Sequence, residues 1–135
     1  MSADDPSPAG PTLDDGAYNA IVIDHFRNPR NAGTLMDANA IGEERNPVCG
    51  DHMRLMLRIE DGVIVRASFL TRGCGAAIAT SSVATEMLTG RPVEAARGLT
   101  RQDFVAAVGG LPKSKVHCSV LAAGALKKAL ADYAG

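Results

Sequence analysis

The sequence lacks an excess of charge, a long apolar run and any internal repeat, and each absence narrows what it can do. Fourteen Lys and Arg stand against fifteen Asp and Glu, a formal net charge of −1, with no basic block and no long acidic run. No nucleic-acid partner is expected. The longest charge-free segment, Gly73 to Thr85, is too short to span a bilayer and contains Thr and Ser. A soluble chain with no membrane partner follows. The first sixteen residues, MSADDPSPAGPTLDDG, hold no positive side chain and no apolar stretch of the kind a secretory signal needs. A mitochondrial transit peptide would be rich in Arg and poor in acids, the opposite composition. Residues 1–16 therefore read as a disordered acidic tail, residues 17–135 as one domain, and the cytoplasm as a compartment that keeps thiols reduced.

Cysteine is scarce and odd in number. Three, at positions 49, 74 and 118, cannot all pair within the chain, and their separations match no zinc-finger spacing. Any joint role has to be assembled by the fold.

The order of elements is readable. AYNAIVIDHFR (residues 17–27) has helical spacing and ends at Pro29. AIGEE (residues 40–44) starts a strand after a loop-rich stretch. RLMLRIE (residues 54–60) alternates Leu55, Leu57 and Ile59 against Met56 and Arg58, and Asp61-Gly62 is a hairpin turn signal. VIVRASFLT then sets Val63, Val65, Ala67 and Phe69 against Ile64, Arg66, Ser68 and Leu70. After Gly73-Cys74-Gly75 a charge-poor helix runs to a stop at Gly90, buried on most sides. A turn of helix covers Val93 to Arg97, and Thr100 with Asp103 caps a helix from Arg101 to Val108, ended by Gly109-Gly110. The last helix starts near Cys118, with Ala122, Leu126, Ala129 or Leu130, and Tyr133 on its buried stripe. Strands first and helices mostly afterwards predict an α+β class, a small antiparallel sheet of about three strands packed with helices.

Each cysteine sits at a turn or a helix start. Cys49 lies in NPVCGD; if that segment is extended, Cys49 and Asp51 point to the same side and can face one ion, although both also suit an ordinary turn. Cys74 stands between two glycines before a helix, where bare backbone and the helix N-terminus favour a thiolate. A tight strand-to-helix turn with an inert cysteine is the plainer reading. Cys118 continues the apolar stripe of the last helix and so could be core, but His117 beside it can lower the thiol pKa or complete a coordination sphere. Adjacent Cys and His rarely reach the geometry of nucleophile and base. His25 reads as a packing or surface residue and His52 as the start of a strand, His52 being the better ligand candidate because it follows Asp51. Three thiolates plus a histidine or carboxylate suit a tetrahedral zinc or the four protein positions of a [2Fe-2S] cluster. The residues alone leave zinc and iron open.

IDHFRNPRNAG (23–33), CGD (49–51), GCGAAIATSS (73–82) and KVHCSVLA (115–122) together resemble the U-type iron-sulfur cluster assembly scaffolds, the IscU family and the N-terminal domain of NifU, from about Tyr18 to Tyr133. The resemblance implies an α+β fold that gathers Cys49, Asp51, Cys74, His117 and Cys118 at one exposed end as metal and cluster ligands. It further implies a cysteine desulfurase as sulfur donor, a ferredoxin-type reductant, iron, and apo iron-sulfur proteins that receive the cluster. Cys118 matches the principal sulfur acceptor, the one residue with a catalytic part; Asp51 matches an aspartate that binds metal and keeps the cluster labile; Lys115 matches an auxiliary lysine. LPKSK (111–115) departs from the LPPVK on which a specialised Hsp-type chaperone docks: Lys113 and Ser114 replace proline and valine, so that partner is not carried over.

The neighbouring branch of the fold is a zinc-dependent sulfur carrier, with an insertion between its second and third cysteines and no histidine. Here His117 is present and nothing is inserted between Cys74 and Cys118, which favours an assembly scaffold over a turnover enzyme or a carrier. A thiol enzyme using Cys118 and His117, or a domain merely stabilised by zinc, are the readings from other classes. Whether the resting protein holds zinc, iron, a cluster or nothing, and whether it forms a homo-oligomer, is not written in the sequence.

Overall fold

The computed structural model describes residues 18–47 and 50–134, the side chains of residues 113, 114 and 134 excepted. The expected tail (1–16) and Cys49 lie outside the described residues.

Helix α1 (Ala20–Arg27) starts three residues later than its apolar spacing suggests, because the Asn19 side chain caps it by accepting from the Val22 amide. Three antiparallel strands follow in the order β1 (Ala40–Arg45), β2 (His52–Glu60), β3 (Val63–Arg72). The β2–β3 turn has Asp61 at φ +53° and Gly62 at φ +75°, the left-handed pair that a two-residue hairpin of matching twist requires. Met53, Leu55, Leu57 and Ile59 line the inner face of β2.

One expectation for this sheet needs correction. The alternation read along β3 breaks between the pairs Arg58–Arg66 and Ile59–Ile64, where Val65 is the extra residue of a bulge. Ile64 therefore turns inward beside Ala67 and Phe69, and Val63 and Val65 are only half-buried. Met56, on the outer face, is buried as well. The chain before β1 returns along that side, with Gly33 donating to the Phe69 carbonyl and Arg58 and Arg66 bonded to Asp37.

Helix α2 (Gly75–Leu88) and helix α5 (Ser119–Ala134) pack on the inner face, α1 lies against α2, and the short α3 (Val93–Ala96) and α4 (Arg101–Ala107) complete that layer. Eleven of the fourteen α2 residues are buried, most of them Ala, Ser or Thr, so this helix is enclosed on nearly every side. Thr100 and Asp103 form the expected capping box of α4. A 3₁₀ turn (Lys113–Cys118) leads into α5, so Cys118 ends that turn rather than opening the α-helix. The buried stripe of α5 runs through Leu121, Ala122, Ala125, Leu126, Ala129 and Leu130, whereas Tyr133 is exposed, lying one turn past the point where the helix still faces the sheet.

Helix α5 lies so close to β1 that a Cβ at Gly42 would overlap the carbonyl oxygen of Ala125 and the amide nitrogen of Ala129. Gly42→Ala should destabilise the fold by about 1–3 kcal/mol, read as a lower urea midpoint at unchanged m-value.

Candidate metal and sulfur site

Strand register brings the donors together. The last β2–β3 pair is His52 with Arg72, so the residues just beyond, Asp51 and Gly73, also lie side by side. A Cβ at Gly73 would stand 2.6 Å from the Asp51 carboxyl carbon and 2.8–2.9 Å from its oxygens. Glycine is thus required for the carboxylate to lie there. Cys74 is the N-cap of α2, and its backbone amide faces Asp51 Oδ2 at 3.5 Å. The 3₁₀ turn delivers Cys118 from the other side, placing its Sγ 3.3 Å from the Sγ of Cys74.

A carboxylate oxygen of Asp51 and the sulfurs of Cys74 and Cys118 all lie within 4.8 Å of one another. Ligand atoms of one tetrahedral zinc or iron are about 3.3–3.8 Å apart given metal–ligand bonds of roughly 2.0–2.3 Å, so these three donors fit a single ion with small side-chain adjustments. His117 flanks the group, Nε2 3.7 Å from the Sγ of Cys118. The other two histidines are elsewhere. His25 is buried between α1 and α2, its Nδ1 2.8 Å from the Ser82 hydroxyl, which also accepts from the Arg30 amide. His52 faces the outer side of the sheet, Nε2 2.9 Å from Glu43.

One expectation is overturned. Cys118 does not sit at an exposed end: it is 1% exposed and belongs to the hydrophobic core, and Asp51 is 8% exposed. The apolar stripe of α5 draws the turn inward and Cys74 covers the thiol from outside. Sequence reasoning also passed over two residues. Gly73 was read as relief for Cys74 and serves Asp51 too. Asn46 carries no role in the sequence reading, yet it is buried, its backbone N–H donates to the Asp51 carbonyl at 2.8 Å, and its side-chain amide donates to the His117 carbonyl at 3.3 Å. The signal was present in Asn46-Pro47, a pair that starts turns, but the partner 71 residues away was not.

The thiols differ in character. The Cys74 pKa is lowered to about 6, chiefly by the hydrogen bond from Cys118, with further help from the Ala77 amide and the Lys115 charge; burial and the Asp51 charge oppose the shift. Cys74 is therefore the thiolate of the pair at neutral pH, and Cys118 donates to it. This geometry can hold a soft divalent ion or an electrophilic sulfur next to a ready thiolate.

In metal-free, reduced protein, alkylation of Cys74 followed by peptide mass spectrometry should rise with a midpoint near pH 6 and level off by neutrality. Loss of its main cause in Cys118→Ala should move that midpoint upward; a midpoint near pH 8.5–9 in the unmodified chain would contradict the assignment. Gly73→Ala should lower zinc affinity at least tenfold by displacing the carboxylate. Added to Asp51→Ala it should cost nothing further in affinity, since both changes remove one interaction.

Among the described residues, no helix is long and apolar enough to cross a membrane. The family model for the NifU-like N terminal domain matches residues 17–135. The chain is 52% identical over 116 residues to the Archaeoglobus fulgidus protein named iron-sulfur cluster assembly scaffold protein IscU 1, covering 86% of this chain and 76% of that one. It is 45% identical over 121 residues to the Escherichia coli protein named iron-sulfur cluster assembly scaffold protein IscU, covering 87% and 94%. The solved N-terminal NifU-like protein of Brucella abortus superposes with a TM-score of 0.71 at 19% identity, over 89% of this chain and 96% of that one, a likeness of fold. With a matching family model over nearly its whole length and scaffold relatives at this identity, the chain belongs to the NifU-like N-terminal domain family, that of the IscU scaffolds.

Proposed function

We propose that this protein is a scaffold on which [2Fe-2S] clusters are assembled from iron and desulfurase-derived sulfur and then passed to apo iron-sulfur proteins. The observation that carries the reading is the donor group of Asp51, Cys74 and Cys118, within 4.8 Å of one another, in a chain whose relatives bear scaffold names. Iron and cluster are cargo rather than resident cofactors. Cys49 and His117 are the further ligands in this proposal.

The chemistry divides between the residues. Cys118, passing its proton to the Cys74 thiolate, attacks the outer sulfur of the desulfurase persulfide; the new Cys118 S–S bond forms as the desulfurase S–S bond breaks, and the desulfurase cysteine leaves as thiolate. Two electrons from a ferredoxin-type reductant then cleave the S–S bond: Cys118–S–S⁻ + 2 e⁻ → Cys118–S⁻ + S²⁻. Because Cys118 is buried behind Cys74, the 3₁₀ turn has to move outward for the transfer. Cys74, already a thiolate, holds iron during assembly. Asp51 supplies a hard oxygen donor among soft sulfurs, so the finished cluster is gripped less firmly than by thiolates alone and can leave. A reducing compartment such as the cytoplasm preserves the thiols.

Anaerobic incubation with ferrous iron, cysteine and a cysteine desulfurase should give a coloured [2Fe-2S] species, and Cys118→Ser should reduce its yield at least tenfold. Asp51→Ala should retain the cluster longer against an apo-ferredoxin acceptor. Formation of no cluster, with a tightly held zinc in its place, would instead identify a zinc-dependent sulfur carrier.

A further inference from the structure

Sulfur transfer requires the 3₁₀ turn that carries Cys118 to move, and hydrogen bonds from distant parts of the chain hold that turn in place. One joins Cys118 to Cys74, with the sulfurs 3.3 Å apart. Another runs from the side chain of Asn46 to the His117 carbonyl at 3.3 Å, across 71 residues. A carbonyl oxygen only accepts, so the amide nitrogen of Asn46 is the group that faces it. The bonds from the Lys115 N–H to the Pro112 carbonyl and from the Ser119 hydroxyl to the Val116 carbonyl lie within residues 112–119 and travel with the turn.

The two long-range bonds have different fates. The bond between the thiols is consumed by the chemistry, since Cys118 passes its proton along it when it attacks the persulfide. The Asn46 bond includes no reacting atom, and movement alone has to break it. Asn46 is 4% exposed, so breaking the bond leaves a buried amide without that acceptor, at a cost in free energy. The other end of the tie is anchored. Asn46 donates its backbone N–H to the Asp51 carbonyl at 2.8 Å and accepts from the Gly50 N–H at 2.7 Å, which closes residues 46–51 on themselves. The Asp51 carboxylate is in turn held beside Gly73 and the Cys74 amide. One side chain thus connects the loop that presents the carboxylate to the turn that presents the thiol.

We propose that Asn46 is a positioning residue for sulfur delivery, a latch whose release from the His117 carbonyl precedes attack by Cys118 on the persulfide. The proposal rests on the scaffold reading and names what sets the cost of exposing its sulfur acceptor. Asn46 acts through the backbone of residue 117 and touches neither sulfur. With the latch closed, Cys118 is held against Cys74 and Asp51 as a ligand for an ion; with it open, the thiol meets the donor. Loss of one hydrogen bond from a buried amide shifts such an opening equilibrium by about tenfold. A thiol that reacts only from the open form gains reactivity in proportion.

The probe is iodoacetamide, applied to the metal-free, reduced full chain, with the labelled cysteine peptides followed by mass spectrometry. Asn46→Asp presents a carboxylate that cannot donate, and Asn46→Ala removes the amide without adding charge. Both should raise the labelling rate of Cys118 about tenfold and that of Cys74 by less than about twofold. Asn39→Asp is the control. Asn39 makes the same kind of bond, from its side-chain amide to the Ile59 carbonyl at 2.8 Å, at the opposite end of β2, and losing it should change Cys118 labelling by less than about twofold. In single turnovers with saturating persulfide-loaded cysteine desulfurase, both Asn46 variants should take sulfur onto Cys118 severalfold faster than the unmodified chain. The proposal is overturned by unchanged Cys118 labelling, by an equal rise at Cys74 or in Asn39→Asp, or by amide protection lost equally through β2 and β3, each of which makes Asn46 a part of the fold alone. Faster labelling without faster sulfur transfer also overturns it. If no form of the chain takes sulfur while the labelling follows the expected pattern, the scaffold reading fails instead.

Discussion

The packing of α5 on β1 sets the geometry on which the site depends. Gly42 offers no side chain, so the helix backbone rests almost on the strand, and the buried stripe from Leu121 to Leu130 fixes the helix rotation. Once both are set, the end of the 3₁₀ turn before α5 is placed, and in the resting chain Cys118 arrives beneath Cys74 at 3.3 Å. A side chain at residue 42 would lift the helix and carry the third thiol away from the other donors. Stability and donor geometry are here one constraint, imposed by the absence of a single Cβ.

Two electrostatic demands meet at the site. A thiolate at Cys74 needs donors and positive charge, which Cys118, the Ala77 amide and Lys115 supply, while burial and Asp51 work against it. The carboxylate opposes the thiolate until a cation joins them, and then both favour binding. The arrangement thus stores repulsion that a metal ion relieves, without committing all ligands to sulfur.

Much of the fold was legible because its signals are local. Asp61-Gly62 announced the hairpin, Thr100 and Asp103 announced a helix start, and the charge-poor run after Gly75 announced burial. The bulge at Val65 was not legible, since Val63, Ile64 and Val65 are all β-branched and alternate equally well in either register. Tyr133 was placed on the buried stripe because helical spacing continues past the sheet that gives the stripe its meaning. The meeting of Asp51, Cys74 and Cys118 was suggested by their residue types and by family resemblance, while no local pattern revealed it. The burial of Cys118 and the tie from Asn46 to the His117 carbonyl depend on contacts across 44 and 71 residues, and spacing along the chain carries no trace of such contacts.

Helix α2 touches α1, β3, α4, α5 and the 3₁₀ turn, and its small side chains permit that crowding. Nearly every face of the helix is therefore covered, Glu86 excepted, and a larger residue at any of its eleven buried positions would push on a neighbour. The helix that Cys74 caps is thus the part of the domain with the least room to drift, and α4, which packs on it, shares that constraint. A substitution within α2 therefore reaches the Cys74 end of the helix through whichever neighbour it displaces.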